Sequence, residues 1–225
     1  MTALRIALIH ATPLAIDPIK EAIARHWPDV QCQHLLDDSL SQDRVREGQL
    51  TPAMVQRFVT LARYCQGAGA NGILFTCSAF GPAIDTAGQA TGLPTLKPNE
   101  AMFEQALALP APTGVLRLGL VATFEASIPS MSEEFEALAA QRGVKVVLHS
   151  VFVPQAMADL AAGQAESHHQ RIAHSLSQLP ACDGIMLAQF SMAAAQPLCQ
   201  QHASVPVLSS PDCAVTALQQ AMHHV

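Results

Sequence analysis

Cys77 is the side chain of this chain whose setting most suggests chemistry. It follows the apolar run Gly72-Ile73-Leu74-Phe75-Thr76 and precedes Gly81-Pro82, a predicted helix start. A thiol between a strand end and a helix N-terminus lies in a field that favours the thiolate, the form that accepts a proton. Thr76, Ser78 and nearby backbone N–H groups are then placed to grip a carboxylate or a developing enolate oxygen. Taken alone, a cysteine in such a turn is more often a packing residue. Its context argues otherwise, because the chain repeats itself. Ala70-Asn71-Gly72-Ile73-Leu74-Phe75-Thr76-Cys77-Ser78 lies against Cys182-Asp183-Gly184-Ile185-Met186-Leu187-Ala188-Gln189-Phe190, 112 positions on. Arg5-Ile6-Ala7-Leu8-Ile9 matches Arg117-Leu118-Gly119-Leu120-Val121, and Leu93-Pro94-Thr95-Leu96 matches Val205-Pro206-Val207-Leu208, at the same offset. Two similar lobes around one cleft are implied, with a thiol on one side and an amide on the other.

The elements that position these residues are read from the apolar runs. Ile6–Ile9, Cys32–Leu36, Gly72–Thr76 and Thr95–Leu96 are predicted strands of the first half. Leu118–Val121, Val144–Leu148, Gly184–Ala188 and Val207–Leu208 fill the same slots in the second. The runs are continuous rather than alternating, which suits parallel strands covered on both faces. Helices are predicted between them. Asp17 before Pro18 and Thr51 before Pro52 read as caps, the second opening a helix to about Gly67. Ser130 with Glu133 reads as a capping box ahead of 135–142, and a further helix is predicted over about 164–179. Strand and helix in alternation give an α/β fold of two flavodoxin-like lobes, each with a parallel four-stranded sheet. The lobes are expected at 1–98 and 99–211. The helix after Pro98-Asn99-Glu100 should bridge to the second lobe, and the last helix, 212–225, should pack back on the first. Leu109 to Gly114 is the predicted joint.

Ligands of such sheets bind beyond the carboxyl ends of the strands. The candidate ends are His10-Ala11-Thr12, Asp37-Asp38-Ser39, Thr76-Cys77-Ser78 and Lys97-Pro98-Asn99. In the second half they are Thr123-Phe124-Glu125, His149-Ser150, Gln189-Phe190-Ser191 and Ser209-Ser210.

Composition removes whole classes of function. Half of the 225 residues are hydrophobic and 13% are charged, so a large core is expected. A net charge of −6 with no basic stripe argues against nucleic acid and anionic membranes. No apolar run is long enough to span a bilayer, and Met1 to His10 reads into a strand without signal-peptide features, so a cytoplasmic chain is expected. So apolar a chain would suit a homodimer. None of the six cysteines forms a C-x-x-C pair. Cys32, Cys65, Cys182, Cys199 and Cys213 read as reduced packing residues. His168-His169, His174 and His223-His224 lack metal-ligand spacing and read as solvated. No glycine-rich nucleotide loop follows the first strand, so no metal and no cofactor are expected. The charged stretch Asp37 to Glu47 reads as a solvated loop, or as a flap over the cleft.

At Phe75-Thr76-Cys77-Ser78-Ala79-Phe80-Gly81-Pro82 the chain resembles the aspartate/glutamate/hydantoin racemase superfamily, and the architecture extends the resemblance over essentially its whole length. The resemblance implies two lobes related by a pseudo-two-fold axis and an active-site cysteine in the third βα turn of each. It also implies cofactor-free racemisation, one thiolate removing the α-proton and the other thiol returning one. Here Gln189 stands where the second cysteine belongs, and an amide neither takes nor gives a proton usefully near neutral pH. His10, in the slot of an acidic residue of glutamate racemase-like members, and Glu125 are the candidate substitutes. The arylmalonate decarboxylase-like members also have one cysteine, though in the other lobe. The expectation is therefore an enzyme acting at the carbon alpha to the carboxylate of a small acid, with Cys77 as acid/base. Thr76, Ser78 and Ser191 would bind carboxylate oxygens, with Gln189 orienting the substrate and His10, Thr12, Thr123 and Glu125 lining the site. Racemase or isomerase is the leading reading, decarboxylase the second, and a non-catalytic carboxylate-binding protein the third.

Overall fold

The long apolar runs become two separate parallel sheets. The computed structural model describes residues 4–223, the side chain of His223 excepted; His224 and that side chain therefore lie outside the described residues. In the first sheet β1 (Arg5–His10) pairs with β2 (Gln31–Leu36) and β3 (Gly72–Phe75), and β3 pairs with β4 (Thr95–Leu96), giving the order β2-β1-β3-β4. The second sheet repeats this with β5 (Leu116–Ala122), β6 (Val146–Phe152), β7 (Gly184–Leu187) and β8 (Val207–Ser209), in the order β6-β5-β7-β8. All pairs are parallel. The central strands are buried along almost their whole length, which is why their sequences do not alternate.

Around the first sheet lie α1 (Ile16–His26), α2 (Ser39–Glu47), α3 (Pro52–Gly67) and α4 (Gly81–Thr91). Around the second lie α5 (Glu100–Leu107), α6 (Ile128–Arg142), α7 (Ala156–Ala161), α8 (Ala165–Ser175) and α9 (Gln196–His202), and α10 (Ser210–His223) ends the described chain. Two compact units result: the described residues of Met1–Pro98 with Pro211–Val225, and Asn99–Ser210. Each unit thus takes one helix from the other repeat. Met102, Phe103, Ala106 and Leu107 of α5 join the core of the second unit with Leu118, Leu120 and Phe135. In the first unit, Met222 of α10 packs over Gly72, where an added Cβ would sit 2.8 Å from its Sδ. Gly184, the repeat partner of Gly72, makes the same room for Leu109. Asp212 in the first turn of α10 receives bonds at 2.8 Å from both Arg25 and His26 of α1.

Several local expectations are corrected. α1 begins at Ile16, after a 3-10 turn over Pro13–Ala15, so Asp17 lies inside the helix and Thr12 is the cap, accepting from the Leu14 N–H at 3.4 Å. α6 likewise begins at Ile128 after a 3-10 turn over Glu125–Ser127, and Ser130 bonds Glu134 within the helix instead of capping it. Thr51 does cap α3, accepting from the Met54 N–H at 3.3 Å. β6 runs over Val146–Phe152 and not Val144–Leu148, because α6 has 15 residues where α1 has 11. His149 and Ser150 are therefore mid-strand. Leu109 to Gly114 lies inside the second unit, which is bounded instead at Pro98/Asn99 and Ser210/Pro211. The stretch from Asp37 is not a solvated loop: Ser39–Glu47 is helix α2, with Leu40 and Arg44 buried four residues apart on one face. His168, read as solvated, is fully buried in α8, and neither ring nitrogen has a partner. Among the described residues, no helix is long and apolar enough to cross a membrane.

Candidate functional site

The turn bearing Cys77 is held from below by rings. Phe58 of α3 packs against Phe75 at the end of β3 (5.1 Å between centroids) and against Phe80 at the start of α4 (4.8 Å). Both ends of the segment 76–79 are thus fixed by contacts worth about 1 kcal/mol each beyond simple burial. Thr76 N–H donates to the Ile9 carbonyl, extending the β1–β3 pairing by one residue before the chain turns. Cys77 is partly buried, while Thr76 and Ser78 beside it are buried.

Beneath Thr76 runs a chain of polar contacts. His10, fully buried at the end of β1, has Nδ1 2.8 Å from Thr76 Oγ1 and Nε2 3.0 Å from His34 Nδ1 on β2. The His10 and His34 rings are stacked, with centroids 5.2 Å apart. Burial, then the charges of His34 and Lys20, push the His10 pKa down to about 4, so at neutral pH it is an uncharged ring. A neutral imidazole has one N–H and one lone pair, so His10 donates to one neighbour and accepts from the other. Its hydrogen-bonding capacity is used within the protein.

Helix α2 covers the same corner. Ser41 donates to the Ala11 carbonyl just past β1 at 2.7 Å. One turn on, Arg44 is the one Lys or Arg among the described residues that is buried. Burial pushes the Cys77 thiol up to about 11, against smaller downward pulls from the Ala79 N–H, Ser41 and the Arg44 charge. This corrects the expected thiolate. The favourable field exists, but loss of water outweighs it, and the resting group is a protonated thiol.

The second unit's turn is wired differently. Gln189 Oε1 accepts from the Thr123 N–H at 2.7 Å and from the Thr123 hydroxyl at 3.2 Å. Its Nε2 donates to Ser127 Oγ at 2.7 Å, and Ser127 donates to the Phe124 carbonyl at 2.7 Å. Thr123 and Ser127 stand 112 positions after Ala11 and Ala15, so the amide comes with its own pair of polar partners. Conversely, the repeat partners of His10 and Thr76 are Ala122 and Ala188, both fully buried. The two turns differ as sets, not at one position.

The first unit therefore brings His10, Thr76, Cys77 and Ser78 to adjoining ends of β1 and β3, and the second brings Thr123 and Gln189 together at β5 and β7. Ser191 is buried in the 3-10 turn Phe190–Ala195. Thr12 is occupied as a cap, and Glu125 is exposed in the turn after β5. His34, Ser41, Arg44 and Ser127 were missed. Only the four-residue spacing of Leu40 and Arg44 could have signalled that α2 turns a charged residue inward. All six cysteines are free, and no group of three His, Cys, Asp or Glu among the described residues could hold a metal ion.

Residues 10–218 match the family model described as Asp/Glu/Hydantoin racemase. No curated protein matches the chain. Among solved structures, a glutamate racemase isoform from Bacillus anthracis is similar with a TM-score of 0.76 at 16% identity, over 99% of this chain and 82% of the other. A putative Asp/Glu racemase from Yersinia pestis gives 0.70 at 18% identity, over 98% and 99%. An allantoin racemase from Klebsiella pneumoniae gives 0.68 at 17% identity, over 99% and 89%. At these identities the likeness is one of fold.

Proposed function

The chain belongs to the Asp/Glu/hydantoin racemase family, and from that premise we propose a cofactor-independent enzyme that moves a proton at the carbon alpha to the carboxylate of a small acid, with Cys77 as the acid/base. The observation that carries the reading is the position of Cys77. It is a partly buried thiol just past β3, on a turn locked by Phe58, Phe75 and Phe80. Thr76 and Ser78 flank it with hydroxyls for carboxylate oxygens, and the α4 N-terminus follows. In the forward step Cys77 first gives its own proton to solvent; the thiolate then takes the α-proton and the electron pair passes into the carboxylate as an enediolate. Return of a proton to the opposite face gives inversion, and return from the same thiol gives exchange alone. Inversion needs a second proton donor. Gln189 is an amide bonded to Thr123 and Ser127, and His10 is engaged by Thr76 and His34.

One observation favours a decarboxylase as the second reading. A thiol held near pKa 11 rests in its proton-donating form. In that reaction the bond to a carboxylate breaks, CO₂ leaves, the electron pair stays as an enediolate, and Cys77 S–H protonates the carbon on one face. Incubation of small chiral acids and substituted malonates in deuterium oxide separates the readings. Deuterium entering at the α-carbon with inversion supports the racemase, and CO₂ release with one product enantiomer supports the decarboxylase. Binding without either points to a non-catalytic carboxylate-binding protein. The Cys77→Ser variant should lose the exchange. Exchange that survives in Cys77→Ser refutes the assignment of this thiol.

A further inference from the structure

A line of hydrogen bonds leads from the surface of the first unit to the hydroxyl beside Cys77. His34, on the outer strand β2, is exposed. Its Nδ1 lies 3.0 Å from Nε2 of the fully buried His10, and His10 Nδ1 lies 2.8 Å from the hydroxyl of the buried Thr76. The second unit has Ala122, Ser150 and Ala188 in the places of His10, His34 and Thr76, and so no imidazole among them. The line therefore accompanies the thiol and is missing where Gln189 takes the thiol's place.

Such a line has a direction. A neutral imidazole carries one proton on two nitrogens, and a hydroxyl has one proton to give. Burial, then the charges of His34 on β2 and Lys20 on α1, keeps His10 neutral at pH 7, and burial with Lys20 lowers the His34 pKa as well. In the free protein the Thr76 proton has two acceptors, His10 Nδ1 at 2.8 Å and the Ile9 carbonyl at 3.5 Å, so it goes to the ring. His10 then keeps its own proton on Nε2 and donates it to His34 Nδ1. In this direction Thr76 has nothing to give a ligand. For Thr76 to donate to an oxygen of a bound acid, His10 must donate to Thr76 from Nδ1, and His34 must donate to His10 from its own Nδ1. The bonds reverse together or not at all.

We propose that His10 and His34 are positioning residues that set the direction of the Thr76 hydroxyl, and that an acid arriving at Thr76 reverses the line so that this hydroxyl donates to it. The proposal rests on the functional reading above for the reaction that follows, whereas the reversal needs only an anion at Thr76. Protons balance: the His10 proton crosses to His34 Nδ1 and His34 releases its Nε2 proton to water. Thr76 passes its proton to His10 Nδ1 and takes one from the water that the acid displaces. An exposed outer ring makes this possible, because His34 reaches solvent and His10 does not. Once turned, the hydroxyl faces the charge that grows on the acid's oxygens as the α-proton leaves, where a fixed donor counts most.

Two measurements test it at about pH 8, where both rings are neutral. Nitrogen NMR of the full chain with isotope-labelled histidine reads the tautomer of each ring, with malonate as the probe anion. Without malonate His10 should carry its proton on Nε2, and saturating malonate should move it to Nδ1. The second measurement is α-hydrogen exchange in His34→Glu, whose carboxylate only accepts, and His34→Gln, whose amide has an N–H to give. His34→Glu should lose at least tenfold in exchange rate, with kcat falling more than KM rises, and His34→Gln should stay within about threefold of wild type. In a Thr76→Val background the two should exchange equally, because the hydroxyl they act through is gone. A His10 tautomer that malonate leaves unmoved, equal rates in His34→Glu and His34→Gln, or a difference between them that persists in Thr76→Val would each overturn the proposal. The wild-type spectrum decides even where a variant does not fold. If malonate reverses the tautomer while no acid exchanges its α-hydrogen, the relay stands and the enzymatic reading fails. If exchange depends on Cys77 and the tautomer never moves, the reverse holds.

Discussion

Gln189→Ala should cost the second unit stability before it costs chemistry. The amide oxygen holds a backbone N–H and a hydroxyl of Thr123, and the amide nitrogen holds Ser127. Thr123 and Ser127 are both buried, so truncation strands the Thr123 N–H and removes the donor that Ser127 Oγ accepts from. A buried donor left unmade costs about 1–3 kcal/mol, and each further bond lost about 0.5–1.5 kcal/mol. The sum is about 2–6 kcal/mol. For a unit of this size that corresponds to a fall in melting temperature on the order of 10 °C. Urea denaturation of wild type, Gln189→Ala and Gln189→Glu, followed by circular dichroism, reads it directly. Gln189→Glu keeps an acceptor for Thr123 and loses the donor to Ser127, so it should fall between the other two. Were Gln189→Ala as stable as wild type while substrate KM rose, the amide would be a ligand group and the brace described here would be wrong. Gln189→Cys is the instructive companion. It places a thiol opposite two polar partners built for an amide, so a second active cysteine should not appear unless Thr123 and Ser127 are changed with it to the Ala11 and Ala15 of the other turn.

Acid should weaken both units. His10 and His168 are buried with pKa values lowered to about 4, burial being the larger cause in each. Above about pH 6.5 both are neutral folded and unfolded, so stability is full; between 6.5 and 4 the unfolded chain takes protons the folded one refuses, and stability falls by about 3 kcal/mol for each ring. Urea midpoints at pH 7, 5.5 and 4.5 check this, and a flat profile would contradict the burial. Gly72→Ala should destabilise the first unit by about 1–2 kcal/mol by pressing on Met222 and Ile6, both flexible at the point of contact, as calorimetry can measure. Asp212→Ala, although it breaks contacts to Arg25 and His26, should change stability by less than about 1 kcal/mol, since all three side chains stay more than a third exposed.

The apolar runs and the 112-residue repeat were enough to specify two parallel sheets, because a strand covered on both faces has to be apolar throughout and that demand is written locally. The repeat also exposed the Cys77/Gln189 contrast, which needs no coordinates. What it could not convey was the changed offset at β6: there the repeat partner of His34 in register is Ser150, paired to Leu120 as His34 is to Leu8, since α6 outruns α1. Nor could it tell that His10 meets Thr76, that Gln189 meets Thr123 and Ser127, or that Arg44 points inward without a partner. These contacts join residues 62 to 66 positions apart, or depend on which face of a short helix meets the sheet. Whether a polar group is satisfied, and whether a thiol rests protonated, is decided by what lies within a few ångströms in space, and chain order alone does not list those neighbours.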